Sequence, residues 1–184
     1  MTALILLAEG FETTEALTTY DILCRSHLIT PTLCSISASK EVVSSHGVTV
    51  VAPVCFADVE DFDPLGFDML ILPGGKKGVD NLFASDAVTA LIMAYWSNPN
   101  KQVHAICAAP SLLARRGLLE GRRYTCFPGF QSGNGEYTGE GVTVDGNLVT
   151  GKSMGYSIPF AEAIIALNCG EDAVKAIRPG TLGQ

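Results

Sequence analysis

Histidine is scarce in this 184-residue chain. There are three, His27, His46 and His104, and none follows residue 104. A cysteine–histidine protease or glutaminase arrangement therefore has no obvious second member. Charge is scarce too: 17% of residues are charged, the formal net charge is −7, and no Lys/Arg run exceeds two residues. That argues against nucleic acid or an anionic membrane as the main partner. No apolar stretch approaches membrane-spanning length. The N-terminal run Ala3-Leu4-Ile5-Leu6-Leu7-Ala8 has no basic residues before it and is followed at once by Glu9-Gly10-Phe11-Glu12. It reads as a first strand, with no signal peptide and no membrane span, which predicts a cytoplasmic protein. The six cysteines include no C-x-x-C pair, and their wide spacing fits no zinc or disulfide framework. Cys24, Cys34, Cys55 and Cys169 sit in apolar surroundings and are expected to be buried small hydrophobes in a reducing compartment. No metal and no cofactor is expected.

What is abundant is apolar. Hydrophobic residues make up 47% of the chain, and the mean hydropathy is +0.29. Either the core is large or a partner subunit covers some of this surface. The length suits one domain spanning 1–184. Apolar runs alternate with helical patterns, as in an α/β fold with a mostly parallel sheet and helices on both faces. Strands are predicted at Ala3–Ala8, Ile29–Ile36, Met69–Leu72 and Val103–Ile106. A short strand at Val48–Val54 reads as one arm of a side ribbon. Val142–Thr150 is a hairpin turning at Asp145-Gly146. Helices are predicted at Thr14–Arg25, capped by Thr13 or Thr14, at Asp86–Ser97, capped by Ser85, and at Ala108–Arg116, stopped by Gly117. Ile158–Leu167 and Glu171–Ile177 close the chain.

Three segments fall at the carboxyl ends of predicted strands, where open parallel sheets bind ligands. They are Glu9-Gly10-Phe11-Glu12-Thr13-Thr14-Glu15, Leu72-Pro73-Gly74-Gly75 and Ala105-Ile106-Cys107-Ala108-Ala109-Pro110. Cys107 stands between a strand and a helix. The free N–H groups and positive end of that helix favour the thiolate, which predicts a sulfur that ionises near neutral pH. A buried cysteine ending a core strand is the bland alternative. Gly74 and Gly75, with the Ala108 N–H, are candidate oxyanion donors; a plain turn explains two glycines equally well. Lys76 and Lys77 follow, without phosphate-loop spacing. Glu15, in the first turn of its helix, is the candidate proton carrier, since a dry carboxyl beside a thiolate has a raised pKa. Glu9 and Glu12 read as helix-start acids only. His104 is expected in the core, and His46, in Ser44-Ser45-His46-Gly47, on a solvated loop or at the site rim, reaching there from a partner subunit.

Together these motifs, with Thr150-Gly151-Lys152-Ser153-Met154-Gly155, resemble the ThiJ/PfpI superfamily, in the branch of the Parkinsonism-associated deglycase (DJ-one) and its YajL-like bacterial relatives. The resemblance runs from Ala3 to about Ile177. It implies a flavodoxin-like three-layer sandwich of the class I glutamine amidotransferase type and a homodimer. It implies that Cys107 is an oxidation-sensitive nucleophile, Glu15 its protonated partner, and Gly75 and Ala108 oxyanion contacts. Phe127 stands where many relatives carry a histidine, and His46 where close relatives carry an arginine. Gly155 and Cys126 are further candidates for the pocket; Cys126 reads as a packed cysteine or a resolving thiol. The implied activity is a cofactor-independent glyoxalase or deglycase acting on small dicarbonyls or glycated groups in oxidative and carbonyl stress. The alternative is a redox-sensing holdase chaperone for unfolding client proteins. A cysteine peptidase or amidotransferase is disfavoured because Ala108 follows the thiol where the peptidase branch has histidine.

Overall fold

A computed structural model describes residues 1–58 and 62–183. The elements run β1 (Thr2–Leu7), α1 (Thr13–Arg25), β2 (Thr30–Ser35), β3 (Glu41–Val43), β4 (Thr49–Val51), β5 (Val54–Cys55), β6 (Met69–Leu72), α2 (Lys76–Ala84) and α3 (Asp86–Trp96). They continue with β7 (Gln102–Ile106), α4 (Pro110–Ala114), β8 (Arg123–Tyr124), β9 (Glu136–Tyr137), β10 (Val142–Asp145), β11 (Leu148–Gly151), α5 (Ser157–Cys169) and α6 (Glu171–Leu182). Seven strands form the main sheet in the order β10-β11-β7-β6-β1-β2-β5. All its pairs are parallel except β10 with β11.

The apolar runs explain the centre. A parallel strand covered on both faces has no polar side, so β1 and β6 are apolar at nearly every position. Their alternate residues enter two cores. Leu4, Leu6, Leu70 and Leu72 pack with Val79, Leu82, Ile92 and Leu112 under α2, α3 and α4. Ala3, Ile5, Leu7, Met69 and Ile71 pack with Leu23, Phe160 and Ile164 under α1 and α5. The sequence order reverses about β1: the chain passes through α1 to β2 on one side, then returns to place β6 on the other. The crevice past the carboxyl ends of β1 and β6 is thus a topological switch point. Among the described residues, no helix is long and apolar enough to cross a membrane.

Some local expectations change. The residue before α1 is Glu12, and neither threonine caps the helix; Ser85 does cap α3, accepting from the Val88 N–H at 3.3 Å. The predicted Val48–Val54 strand is broken at Ala52-Pro53. Its first part, β4, pairs antiparallel with β3 in a separate ribbon, and the chain then joins the main sheet as β5. Helix α2 had no sequence signal, because Gly78 lies inside it. A Cβ at Gly78 would sit 2.8 Å from the Phe11 backbone, so close approach to the β1–α1 loop demands glycine there. Helix α4 is shorter than predicted at both ends. Cys34 and Cys55 are buried as expected, but Cys24 and Cys169 are only half-buried.

His104 is a core residue. It is fully buried in β7, where its Nδ1 accepts the Val149 N–H at 3.1 Å, which leaves Nε2 to donate to Gln102 Oε1 at 2.9 Å. Asn168 of α5 closes the network onto Gln102. Burial holds the imidazole neutral, with its pKa pushed down from 6.5 to about 3. The unfolded chain takes up this proton below pH 6.5 and the folded one does not, so the fold weakens as pH falls through that window. The loss from His104 between pH 7 and pH 4.5 is about 2.5 kcal/mol. Urea unfolding at the two pH values should show this slope in the wild type and its reduction in His104→Gln.

Candidate active site

Cys107 joins β7 to the turn before α4 with φ of 64°, a left-handed backbone that costs a non-glycine residue about 1–2 kcal/mol. Its backbone is pinned on both sides. The Cys107 N–H donates to the Gly151 carbonyl at 2.8 Å, and its own carbonyl accepts the Phe127 N–H at 2.8 Å. The strand on one side and the Phe127 loop on the other hold the sulfur at a half-buried elbow. The next residues, Ala108 and Ala109, are buried and small.

Glu15 meets this sulfur from the first turn of α1. It is 1% exposed. Its Oε2 accepts the Gly74 N–H at 2.8 Å. Its Oε1 has no hydrogen-bond partner among the described residues. Gly74 is the spacer between the two groups: a Cβ there would lie 2.6 Å from Glu15 Oε2, 2.7 Å from Cys107 Cβ and 3.1 Å from Cys107 Sγ. Carboxyl and thiol therefore both crowd the glycine's α-carbon, where there is no room for a side chain. The expectation that Gly74 offers an oxyanion donor is corrected here, since its N–H is taken by Glu15. Gly75 fits that expectation better. Its φ is 86°, a Cβ would lie 2.4 Å from the Gly10 carbonyl oxygen, and its amide, like that of Ala108, is aimed at Cys107.

Burial raises the Glu15 pKa from 4.5 to about 7. The thiol contact and the Gly74 amide oppose the rise, and the nearby Glu12 charge adds to it. Burial pushes Cys107 up to about 12, helped by the negative charge of Glu15 and by its acceptance of the thiol proton; the Ala108 and Gly75 amides pull the other way. The sequence-based expectation of a thiol lowered by its helix is thus overturned. Helix α4 has five residues, and desolvation outweighs its end. The two groups titrate as a pair. The first proton leaves near neutrality, and the proton that remains sits on sulfur or on carboxyl. The form with the proton on Glu15 is a nucleophile beside an acid.

The other sequence candidates divide. Phe127 lies at the site through its amide, and its ring is 43% exposed, packed edge-on against Phe130 at 6.2 Å. Cys126 is fully buried, with its Sγ toward its neighbour's carbonyl at 3.4 Å, as a packed cysteine would be. His46 is exposed at the tip of the β3–β4 ribbon, with Nδ1 3.8 Å from Glu12. Gly155 is exposed and lines a groove of about 430 Å³ with Thr14, Met154, Ile158 and Leu182, not the thiol. Lys77 pairs with Glu9 at 2.5 Å. An apolar cavity of about 570 Å³ between Phe56, Leu65 and Leu91 is lined, among the described residues, by none of the three strand-end segments and by no titratable group. Glu12 was passed over in the sequence, yet it touches the ribbon and acts on Glu15. Among the described residues, no cluster of three or more His, Cys, Asp or Glu side chains is placed to hold a metal.

Comparison with known proteins agrees with this arrangement. The DJ-1/PfpI family is matched over residues 1–167. The protein dj-1beta of Drosophila melanogaster is 30% identical over 184 residues, covering 98% of this chain and 96% of the relative. A cysteine-to-alanine mutant of a DJ-1 superfamily protein from Salmonella typhimurium superposes with a TM-score of 0.89 at 33% identity, over 98% of this chain and 97% of that one. Oxidized Toxoplasma gondii DJ-1 does so at 0.89 and 28% identity, with the same coverage. The sheet order with helices on both faces is thus the flavodoxin-like sandwich, and the chain belongs to the DJ-1/PfpI family, in its DJ-1 branch.

Proposed function

We propose that this protein is a cysteine-dependent glyoxalase that converts small 2-oxoaldehydes to 2-hydroxy acids, and that removes the same groups from glycated substrates, without a cofactor. The observation that carries the reading is the Cys107–Glu15 pair, brought together against Gly74, with one carboxyl oxygen unpartnered among the described residues. The thiolate adds to the aldehyde carbon, and the new oxyanion takes the proton of Glu15 while the Gly75 and Ala108 amides stabilise it. Glu15, now a carboxylate, removes the hydrogen of the thiol-bearing carbon to give an enediolate and returns it to the neighbouring carbon, while the hydroxyl proton passes from the first oxygen to the second, leaving the thioester of a 2-hydroxy acid. Water cleaves the thioester, releasing the hydroxy acid and regenerating the thiol. Phe127 supplies an apolar wall for the substituent of the substrate.

The test is hydroxy-acid formation from methylglyoxal. Cys107→Ser should fall to the uncatalysed rate, a drop of about 1000-fold or more. Retained turnover in that mutant would reject the mechanism. The free cysteines suit a reducing compartment, in keeping with cytoplasmic action in carbonyl and oxidative stress. The exposed Met154, Tyr156, Ile158 and Leu182 around α1, α5 and α6 suit burial against a second copy of the chain.

A second reading has its own support, because one relative was solved in an oxidized form. Cys107 then acts as a peroxide detector whose sulfinate is stabilised by the proton of Glu15, and client proteins bind apolar surface. Intact-mass spectra after mild peroxide decide: two oxygens should appear at Cys107 before any other site reacts.

A further inference from the structure

We infer that Glu12 is a positioning residue of the Cys107 site: a second carboxylate, clamped by the tip of the β3–β4 ribbon, that keeps the remaining proton on Glu15. The inference rests on Cys107 and Glu15 being the reactive pair, whatever carbonyl compound they serve.

Glu12 is tied to the site through its backbone. Its N–H donates to the Gly74 carbonyl at 3.0 Å, while the Gly74 N–H donates to Glu15 at 2.8 Å, so one glycine links the two acids. Its side chain is held from the other side. The Ser45 hydroxyl donates to Glu12 Oε2 at 2.9 Å, and Ser45 is itself fixed by its N–H to the Phe11 carbonyl at 2.8 Å. The Gly10 N–H donates to the Val43 carbonyl at 2.7 Å, so the β3 side of the ribbon tip is latched to the β1–α1 loop at two points. The carboxylate is 14% exposed, which places its charge inside the wall of the site and not in bulk water.

The charged neighbours are few. His46, on the ribbon, faces Glu12 at 3.8 Å, and Cys107 faces Glu15 from the β7–α4 elbow. From α2, Lys77 is engaged by Glu9, and Lys76 is exposed. A negative charge next to Glu15 disfavours a second one there, so Glu12 opposes loss of the Glu15 proton. Ribbon position then sets reactivity: lifting Ser45 and His46 away lets water screen Glu12 and weakens its hold on the pair.

The test is the pH dependence of Cys107 alkylation by iodoacetamide, which needs no glyoxal substrate. Failure of the glyoxalase reading leaves it intact, and its own failure leaves that reading standing. In Glu12→Gln the amide oxygen still accepts from Ser45, but the charge is gone. The half-point of the first inflection of alkylation should move down by about half a pH unit, and the rate on the plateau above it should fall about 3-fold, because the remaining proton then favours the sulfur. Glu12→Asp, which keeps the charge, should restore the half-point toward that of the wild type. Ser45→Ala, which leaves Glu12 charged but unclamped, should shift it in the same direction as Glu12→Gln by a smaller amount. A Glu12→Gln half-point equal to that of the wild type would overturn the inference. Should that variant fold poorly, an unmoved half-point in Ser45→Ala does so in its place.

Discussion

Glu15→Gln should remove the inflection near pH 7 from the pH profile of Cys107 alkylation, leaving a single rise above pH 9, and at the same time stabilise the fold at pH 8 by about 3 kcal/mol. The first effect follows from where the exchangeable proton resides. In the wild type the pair gives up its first proton near neutrality, because burial raises Glu15 to about 7. The thiolate is formed whenever the remaining proton sits on the carboxyl. Glutamine has no proton to lose, so only the thiol titrates, and burial, the largest cause of its rise, remains. Loss of the Glu15 charge lowers the sulfur from about 12, but not to its ordinary value of 9.

The stability effect comes from the same burial. The unfolded chain releases the Glu15 proton around pH 4.5 and the folded chain around 7. Below pH 4.5 both states hold it, and the residue contributes no pH dependence. Between the two values the folded state alone is protonated, so stability falls as pH rises, and above 7 the full cost of a buried carboxylate is felt. Glutamine fills the same space, still accepts the Gly74 N–H and carries no charge. Urea titrations should therefore show wild type and Glu15→Gln nearly equal at pH 4.5 and well separated at pH 8. Equal stability at pH 8 would mean that the carboxyl is hydrated in solution and that the proton-sharing mechanism lacks its acid.

How much of this was legible in the sequence depends on the range of each interaction. The apolar runs at Ala3–Ala8 and Met69–Leu72 announced buried parallel strands, and the strand-to-helix step at Cys107 announced an elbow. These are properties of neighbours in the chain. Helix α2 was hidden, because Gly78 answers to Phe11, far away in sequence. The part played by Gly74 was misread for the same reason: its amide serves a carboxyl 59 residues earlier. The titration of Cys107 escapes the sequence because the helix end is local, whereas the burial that dominates it is assembled with segments far away in the chain, among them those of Glu15, Gly74 and Phe127. Glu12 looked like an ordinary helix-start acid, and only the ribbon folded over it shows otherwise.

Gly74→Ala should leave a folded protein whose turnover falls at least about 100-fold, because the acid no longer meets the substrate held on sulfur. The Gly74 φ lies outside the left-handed region, unlike that of Gly75, so alanine suits the backbone and the penalty is steric. The added methyl would sit 2.6 Å from Glu15 Oε2 and 2.7 Å from Cys107 Cβ, so carboxyl and sulfur must part. Overpacking of this kind costs about 1–3 kcal/mol, which a two-cored α/β domain tolerates. A double-mutant cycle separates the steric account from general damage. Cys107→Gly removes the Cβ and the Sγ that the new methyl would strike, and glycine accepts the left-handed backbone there without strain. Gly74→Ala should thus destabilise the Cys107→Gly background less than it does the wild type. Equal penalties in the two backgrounds would show that the methyl is accommodated without touching the sulfur, and the gap between thiol and acid would then not be the narrow one from which the chemistry is built.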